Sequence, residues 1–170
     1  MFTKIDLCSM ALLKIGEKPI QSLQENSSAA QLARTLFNPI VDTLLSVFPW
    51  HFATQIITLN KNSDGDFIIP SNVLRIIKSS GTITGNKINA DADVIDIVAI
   101  LHTEPADFPN YFATLVATKL AVEFSIPLTG DTNIFKMMSA LYESEFQSAK
   151  FIDSANQSGI DNFALINSRF

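Results

Sequence analysis

The spacing of apolar residues changes twice along this chain, and the changes limit the folds open to it. Near both ends, apolar residues recur every three or four positions, as they do on one face of an amphipathic helix. Between residues 54 and 102, short β-branched runs alternate with turn residues, a pattern typical of antiparallel strands and hairpins. Helical segments on both sides of a strand-rich segment favour the α+β class over a parallel α/β sheet.

The first two helices are delimited by capping residues and by glycine. Thr3 can cap a helix over residues 3–15, which Gly16 ends. A second helix is predicted over residues 27–48, with either a break or a kink at Pro39. Proline lacks the N–H donor, and in a helix interior it costs about 3 kcal/mol or more.

Two further helices are predicted after the strand-rich segment. One covers residues 109–125 and ends before Pro127. The other covers residues 131–155 and is capped by Asp131 or Thr132. Together with the first pair, these helices predict a mainly α-helical bundle of about four helices.

The strand-rich segment, about residues 54–102, contains the signals of a small antiparallel sheet. Val73 to Lys78 and Val94 to Leu101 are apolar runs of strand length. The pair Gly85-Asn86 is a two-residue hairpin turn. We therefore predict a small antiparallel β-meander inserted between the helix pairs.

Composition raises a question of solubility. The chain has 170 residues, of which 47% are hydrophobic and 17% charged, and its net charge is −5. This length suits one domain, which we expect over residues 1–156. The solubility of such an apolar chain with few charges is explained if subunits cover part of one another's surface.

The final segment, residues 157–170, has no clear period and contains several apolar residues. Ordering its backbone costs about as much free energy as burying its side chains would gain. We predict a C-terminal arm that contacts a partner, while docking on its own domain and disorder stay open as alternatives. The candidate contact residues are Ile160, Phe163, Leu165, Ile166, Arg169 and Phe170.

An aromatic cluster follows the second predicted helix, in the sequence Phe-Pro-Trp-His-Phe at residues 48–52. These rings could fold back onto the core of the protein. Alternatively, Trp50 and Phe52 could be exposed anchors for a neighbouring subunit, because tryptophan is enriched at interface hot spots. Both interpretations stay open, and Trp50 and Phe52 are candidate interface residues.

No catalytic, cofactor-binding or metal-binding site is predicted. The sequence has no glycine-rich phosphate loop and no nucleophile elbow. Cys8 lies on an apolar helix face, as a packing thiol does, and we interpret His51 and His102 as structural. Three acidic residues are considered for a metal site, namely Asp91, Asp93 and Asp96. Their spacing lacks the pattern of a calcium loop, so we expect them to be solvated.

Neither membrane insertion nor export is expected. No uninterrupted apolar run approaches the roughly 20 residues of a spanning helix, and the N-terminus lacks the features of a secretory signal. The acidic balance also argues against binding nucleic acid through its phosphates. We therefore expect a protein that is made in the cytoplasm.

Four short motifs occur in a characteristic order. They are ALLKIGEKPI at residues 11–20, PWHFA at residues 49–53, Pro70 followed by Leu-Arg at residues 74–75, and Phe-Pro-x-x-Phe at residues 108–112. In this order and spacing the chain resembles the tail tubular protein A family of short-tailed phages. It is similar also to head-to-tail adaptors (connectors) of prophages and gene transfer agents.

The resemblance implies a structural protein of virion assembly and no enzyme. Copies would form a homo-oligomeric ring, a dodecamer, between the capsid portal and the tail or a further adaptor or stopper protein. DNA would pass through the lumen without specific binding. The protein would be found in the cytoplasm of the bacterial host during assembly and then at the head-tail junction of the particle. The alternative is a small ligand-binding or regulatory α+β domain with a Phe-lined pocket.

Overall fold

The computed structural model describes residues 1–155, which form four α-helices and two small antiparallel sheets, and this confirms the α+β class. The helices are α1 (Lys4–Lys14), α2 (Ser28–Val47), α3 (Asn110–Thr129) and α4 (Thr132–Ala155). The strands are β1 (Thr54–Asn60), β2 (Phe67–Ile68), β3 (Val73–Lys78), β4 (Thr82–Thr84), β5 (Lys87–Asn89) and β6 (Val94–Leu101).

The chain divides into two compact units. The helical unit consists of Met1–Leu44 together with the described chain from Glu104 onward, and the β unit consists of Leu45–Thr103. The helical unit is therefore built from two separate stretches of sequence, and the β unit from one.

Helix α1 begins as its sequence predicts. The hydroxyl of Thr3 accepts a hydrogen bond from the Asp6 backbone N–H at 3.1 Å, and the Asp6 carboxylate accepts one from the Thr3 N–H at 2.8 Å. This reciprocal pair is a capping box. The hydrogen bonds from Thr3 lower the pKa of Asp6, and they fix the first turn of the helix.

Helix α2 continues through Pro39, so of the two predicted alternatives, a break or a kink, the break is wrong. The Thr43 hydroxyl donates a hydrogen bond to the Pro39 carbonyl at 2.7 Å. Apolar side chains on both sides of the proline are buried, among them Phe37 and Leu44. Their burial gives about 1.5–3 kcal/mol each, which offsets the hydrogen bond that Pro39 cannot make.

Helix α3 also continues through a proline, and the predicted end before Pro127 is wrong. The helix runs on to Thr129 and ends at Gly130, whose φ of +65° is the left-handed conformation of a helix C-cap. The Gly130 N–H donates to the Ile126 carbonyl at 3.0 Å. Most of α3 is buried, between α1 and α4, and that packing outweighs the local cost of the proline.

Helix α4 starts next to its predicted cap. The Asp131 carboxylate accepts a hydrogen bond from the Asn133 N–H at 2.7 Å, as an N-cap side chain does. The apolar side chains that recur along the sequence of α4 are only partly covered among residues 1–155. Met138 and Ala149 are buried, whereas Phe135 and Ile152 are exposed.

The strands lie close to their predicted positions, but their order is not that of a meander. One sheet has the order β1-β6-β3 and the other the order β2-β5-β4. Strand β6 is central, and Ile95, Ile97 and Ala99 are buried in it, whereas β1 and β3 are edge strands. A meander would have placed β6 at an edge, where these side chains would lose part of their cover.

The two sheets share one core. Strands β4 and β5 form the predicted hairpin, with Gly85 at φ +60° in the turn. Gly81 precedes it at a close approach, where a Cβ atom would lie 2.5 Å from the Asn89 carbonyl oxygen, so a larger residue would displace the hairpin. The core contains Leu59, Phe67, Ile88, Ile95, Ile97 and Ala99.

Candidate interaction surfaces

Trp50 is not an exposed anchor. Its side chain is 0% exposed, and its ring contacts the Phe48 ring edge-on with the centroids 4.9 Å apart. The Trp50 carbonyl accepts hydrogen bonds from the Ala53 N–H at 3.1 Å and from the Thr54 hydroxyl at 2.7 Å. The tight turn after α2 turns the indole inward, and the interpretation of Trp50 as an interface residue is corrected accordingly.

The other candidate interface residues fall into two groups. Phe52 is half-buried, with its ring centroid 6.4 Å from that of Trp50, so one part of the ring remains accessible. The candidates of the predicted C-terminal arm lie outside the described residues. These are Ile160, Phe163, Leu165, Ile166, Arg169 and Phe170.

A groove of about 400 Å³ opens on the β unit. We call it the β groove. One part of its lining is β3, and another is the β4–β5 hairpin with the exposed side chain of Ile83. The remaining lining comes from the segment between β2 and β3. The lining residues are Ile69, Pro70, Ser71, Val73, Leu74, Arg75, Ile76, Ile83, Gly85 and Asn86.

Both strands that line the β groove are edge strands. Among the described strands, β3 pairs only with β6, and β4 pairs only with β5. An edge strand has backbone N–H and C=O groups that face away from its sheet and can accept another strand. Arg75 is held at this edge because its guanidinium donates a hydrogen bond to the Ser46 carbonyl at 2.6 Å. No sequence motif predicted this groove.

Helix α4 exposes large apolar side chains. Phe151 is 78% exposed and Met137 is 57% exposed. Three residues of α4 are buried among its 24, namely Met138, Ala149 and Asp153. Among residues 1–155, this helix therefore has exposed apolar area that further contacts could cover.

A polar cluster joins three helices of the helical unit. The Thr118 hydroxyl in α3 donates to the Glu145 carboxylate in α4 at 2.5 Å. The other oxygen of Glu145 accepts from the Lys14 ammonium in α1 at 3.4 Å. Because the three side chains come from three helices, they fix the position of α4 along α3, and their role is structural.

A second polar contact links α3 to the end of α4. The Tyr111 hydroxyl donates a hydrogen bond to the Asp153 carboxylate at 2.6 Å, and Asp153 is fully buried. Burial, followed by this hydrogen bond, raises the pKa of Tyr111. The tyrosine therefore stays neutral as the donor to the carboxylate at physiological pH.

The histidines and acidic residues considered for catalysis and metal binding are half-buried or exposed and lie outside the lining of the β groove. His51 and His102 are half-buried, and neither lines the β groove. The acidic side chains Asp91, Asp93 and Asp96 are exposed. Within residues 1–155 no group of three metal-ligating side chains is close enough to hold a metal ion.

Cys8 is buried, as predicted for a packing thiol. Burial raises the pKa of the thiol from 9.0 to about 12. The folded state thus retains a proton that the unfolded chain loses above pH 9. This contribution to stability is complete below pH 9 and is lost as pH rises toward 12, by about 1.4 kcal/mol per pH unit.

We expect Cys8→Ala to reduce this alkaline loss. Urea unfolding below pH 9 and between pH 9 and 12 measures it in both proteins. The comparison with the unmodified chain is required because burial also raises the pKa of Tyr111 and of Tyr142. If both proteins lose stability in parallel, the tyrosines rather than the thiol are responsible.

One described helix, α3, is long and apolar enough to cross a membrane by length and composition alone. In the structure, 61% of its most apolar window is buried within the protein. The central helix of a soluble protein has the same composition, and α3 packs against both α1 and α4. The helix is thus consistent with a soluble protein.

Comparison with known proteins gives no family assignment. No protein-family model matches the chain, and no curated protein matches it.

Proposed function

We propose that this protein is a structural head-to-tail adaptor whose copies form a ring between a capsid portal and a tail. The observation that supports the proposal is the apolar surface that residues 1–155 leave uncovered on α4, where Phe151 is 78% exposed and Met137 is 57% exposed. A chain of this composition is expected to bury such area against other subunits.

The chain order supports the same proposal. A pair of helices, a β unit and a second pair of helices follow one another, in keeping with the helical bundle and β insertion that the resemblance implies. Under this proposal the helices form a bundle and the ring contains twelve copies. The ring extends the DNA channel, and its further partner is the tail or a stopper protein.

The charge of the chain is compatible with a DNA channel. With 12 basic and 17 acidic residues, the net charge is −5. Such a lumen neutralises few phosphates, so DNA passes without being retained. We expect no substrate turnover and no specific DNA binding.

The test is assembly with the portal protein encoded in the same genome. We expect light scattering of the mixture to give a complex heavier than the portal alone, and negative-stain microscopy to show an added ring at one end of the portal. Each protein alone at the same concentration is the control, since an adaptor can remain monomeric until it meets its template. If the mixture contains only free portal and free monomer at all concentrations and salts, the proposal is wrong.

The alternative function, a ligand-binding domain, has less support. It requires a Phe-lined pocket, and phenylalanine lines neither the β groove nor a second described groove, which contains Pro19 and Leu128. A thermal shift with a metabolite, of the size that mass action gives for a ligand above its Kd, would favour it.

A further inference from the structure

We propose that the β groove receives residues 163–166 of a second copy of this chain as an additional β-strand. The inference rests on the proposed function and deepens it, because it names the contact between neighbouring subunits. The occupant is a short segment with the sequence Phe-Ala-Leu-Ile.

The backbone of the groove suits an added strand. Its lining includes residues of two edge strands, β3 and β4, which belong to different sheets of the same unit. An extended peptide gains affinity by pairing with an exposed edge, and it gains specificity from pockets for its alternate side chains.

The pairing of β3 with β6 is irregular between Val73 and Arg75 and again between Ile76 and Lys78. Such irregularities bend a strand and limit how long a partner strand can pair with it. A segment of about four residues fits this restriction.

The side chains of the groove suit an apolar occupant. Val73, Leu74 and Ile76 are half-buried along β3, and Ile83 is 46% exposed across the groove. Arg75 is the charged residue of the lining. Residues 1–155 leave part of this apolar surface exposed to water, so covering it would be favourable.

The occupant follows from the sequence outside the described residues. Fifteen residues follow residue 155, and residues 163–166 are their longest uninterrupted apolar run. When extended, the seven residues from 156 to 162 would give the apolar run a reach of about 23 Å from residue 155. Asp161 lies two positions before the run, so its carboxylate could meet Arg75 at the groove.

A second copy is preferred to the same chain because the groove and the segment are different surfaces. When one surface of each subunit binds a different surface of the next, the contact repeats from copy to copy and closes a ring if the rotation allows. A segment in its own groove would occupy that surface without joining subunits.

Disulfide trapping between two differently tagged full-length chains tests the proposal. In a Cys8→Ala background, one chain carries Ile83→Cys and the other Leu165→Cys. Because each chain has a single thiol, a linked heterodimer requires contact between copies. The matched control is Ile68→Cys, at a position 44% exposed in β2 that does not line the groove. We expect linked heterodimer with Ile83→Cys and at least about tenfold less with Ile68→Cys.

A binding measurement gives a second readout. A synthetic peptide of residues 157–170 is titrated against the full chain, with a scrambled peptide as the control. We expect Ile83→Asp to weaken binding about tenfold or more, because it places a carboxylate among apolar side chains, and Ile68→Asp to leave it unchanged. Both positions are exposed, so the two variants should fold equally well, and their melting curves check this.

The inference is overturned if neither readout distinguishes Ile83 from Ile68. It is overturned also if Ile83→Cys and Leu165→Cys form a link only when placed in one chain, which would show docking within a single copy. Ring formation on the portal by the Ile83→Asp variant at unmodified yield would reject the groove contact and retain the adaptor function. Specific trapping without any portal complex would support the groove contact and reject the adaptor function.

Discussion

Replacing Trp50 with alanine is expected to lower the free energy of unfolding by about 3–5 kcal/mol. The indole is 0% exposed and contacts the Phe48 ring at a centroid distance of 4.9 Å. Its removal would leave a cavity in the turn between α2 and β1 that neighbouring side chains can fill only in part. An exposed anchor, in contrast, would lose binding to a partner with little change in stability, so the experiment separates the two interpretations of this residue.

The matched control for this substitution is Trp50→Phe, which keeps an aromatic ring and loses less volume. Its loss of stability should be clearly smaller than that of the alanine variant. Urea unfolding followed by circular dichroism suits both variants, because Trp50 is the single tryptophan and neither variant retains its fluorescence. An alanine variant with the stability of the unmodified protein would contradict the buried position of the indole.

Deleting residues 157–170 is expected to abolish assembly on the portal while leaving a cooperative unfolding transition. The segment contains five large apolar residues, and the cost of ordering its backbone offsets most of what they would gain on their own domain. Contact with a neighbouring subunit would add the missing burial. Light scattering with the portal measures assembly, and a thermal melt measures the fold.

A variant of full length serves as the control for this deletion. Phe163→Asp with Leu165→Asp keeps the length of the segment and removes its apolar character, and it should lose assembly to the same extent. If the deleted protein no longer melts cooperatively, the segment belongs to the core and is no arm. If the deleted protein still forms the portal complex, subunit contacts lie elsewhere, for example at Phe151.

The parts of the fold that the sequence predicts are those with local causes. The start of α1 depends on Thr3 and Asp6, three residues apart, and the start of α4 depends on Asp131 and Asn133. The β4–β5 hairpin depends on a two-residue turn with Gly85. In each case, the groups that make the structure are neighbours in the chain.

The parts that were missed depend on contacts between distant residues. Strand β6 pairs with β1 across more than thirty residues, and nothing within either strand specifies that β6 takes the centre. Pro127 was predicted to end α3, but the helix is packed between α1 and α4, whose positions the local sequence does not reveal. In α3 burial overrode a local propensity, whereas the order of the strands has no local determinant.

The candidate surfaces also depend on contacts between distant residues. The aromatic cluster around Trp50 was visible in the sequence, but its burial depends on the turn after α2. The β groove was not visible at all, because its lining comes from strands of two different sheets, and the pairing partners of each strand decide which edge is left unpaired.

The division of the helical unit between two stretches of sequence has a consequence during synthesis. The β unit is continuous, and it has all its strands once Leu101 has left the ribosome. Helix α1, in contrast, ends at Lys14, and its packing partner α3 begins at Asn110. At a synthesis rate of about 5–20 residues per second, α3 follows α1 after roughly 5–20 s, and during this time α3 does not yet cover the apolar face of α1. Nascent chains should therefore depend on chaperones most strongly in this interval, which ends when α3 appears.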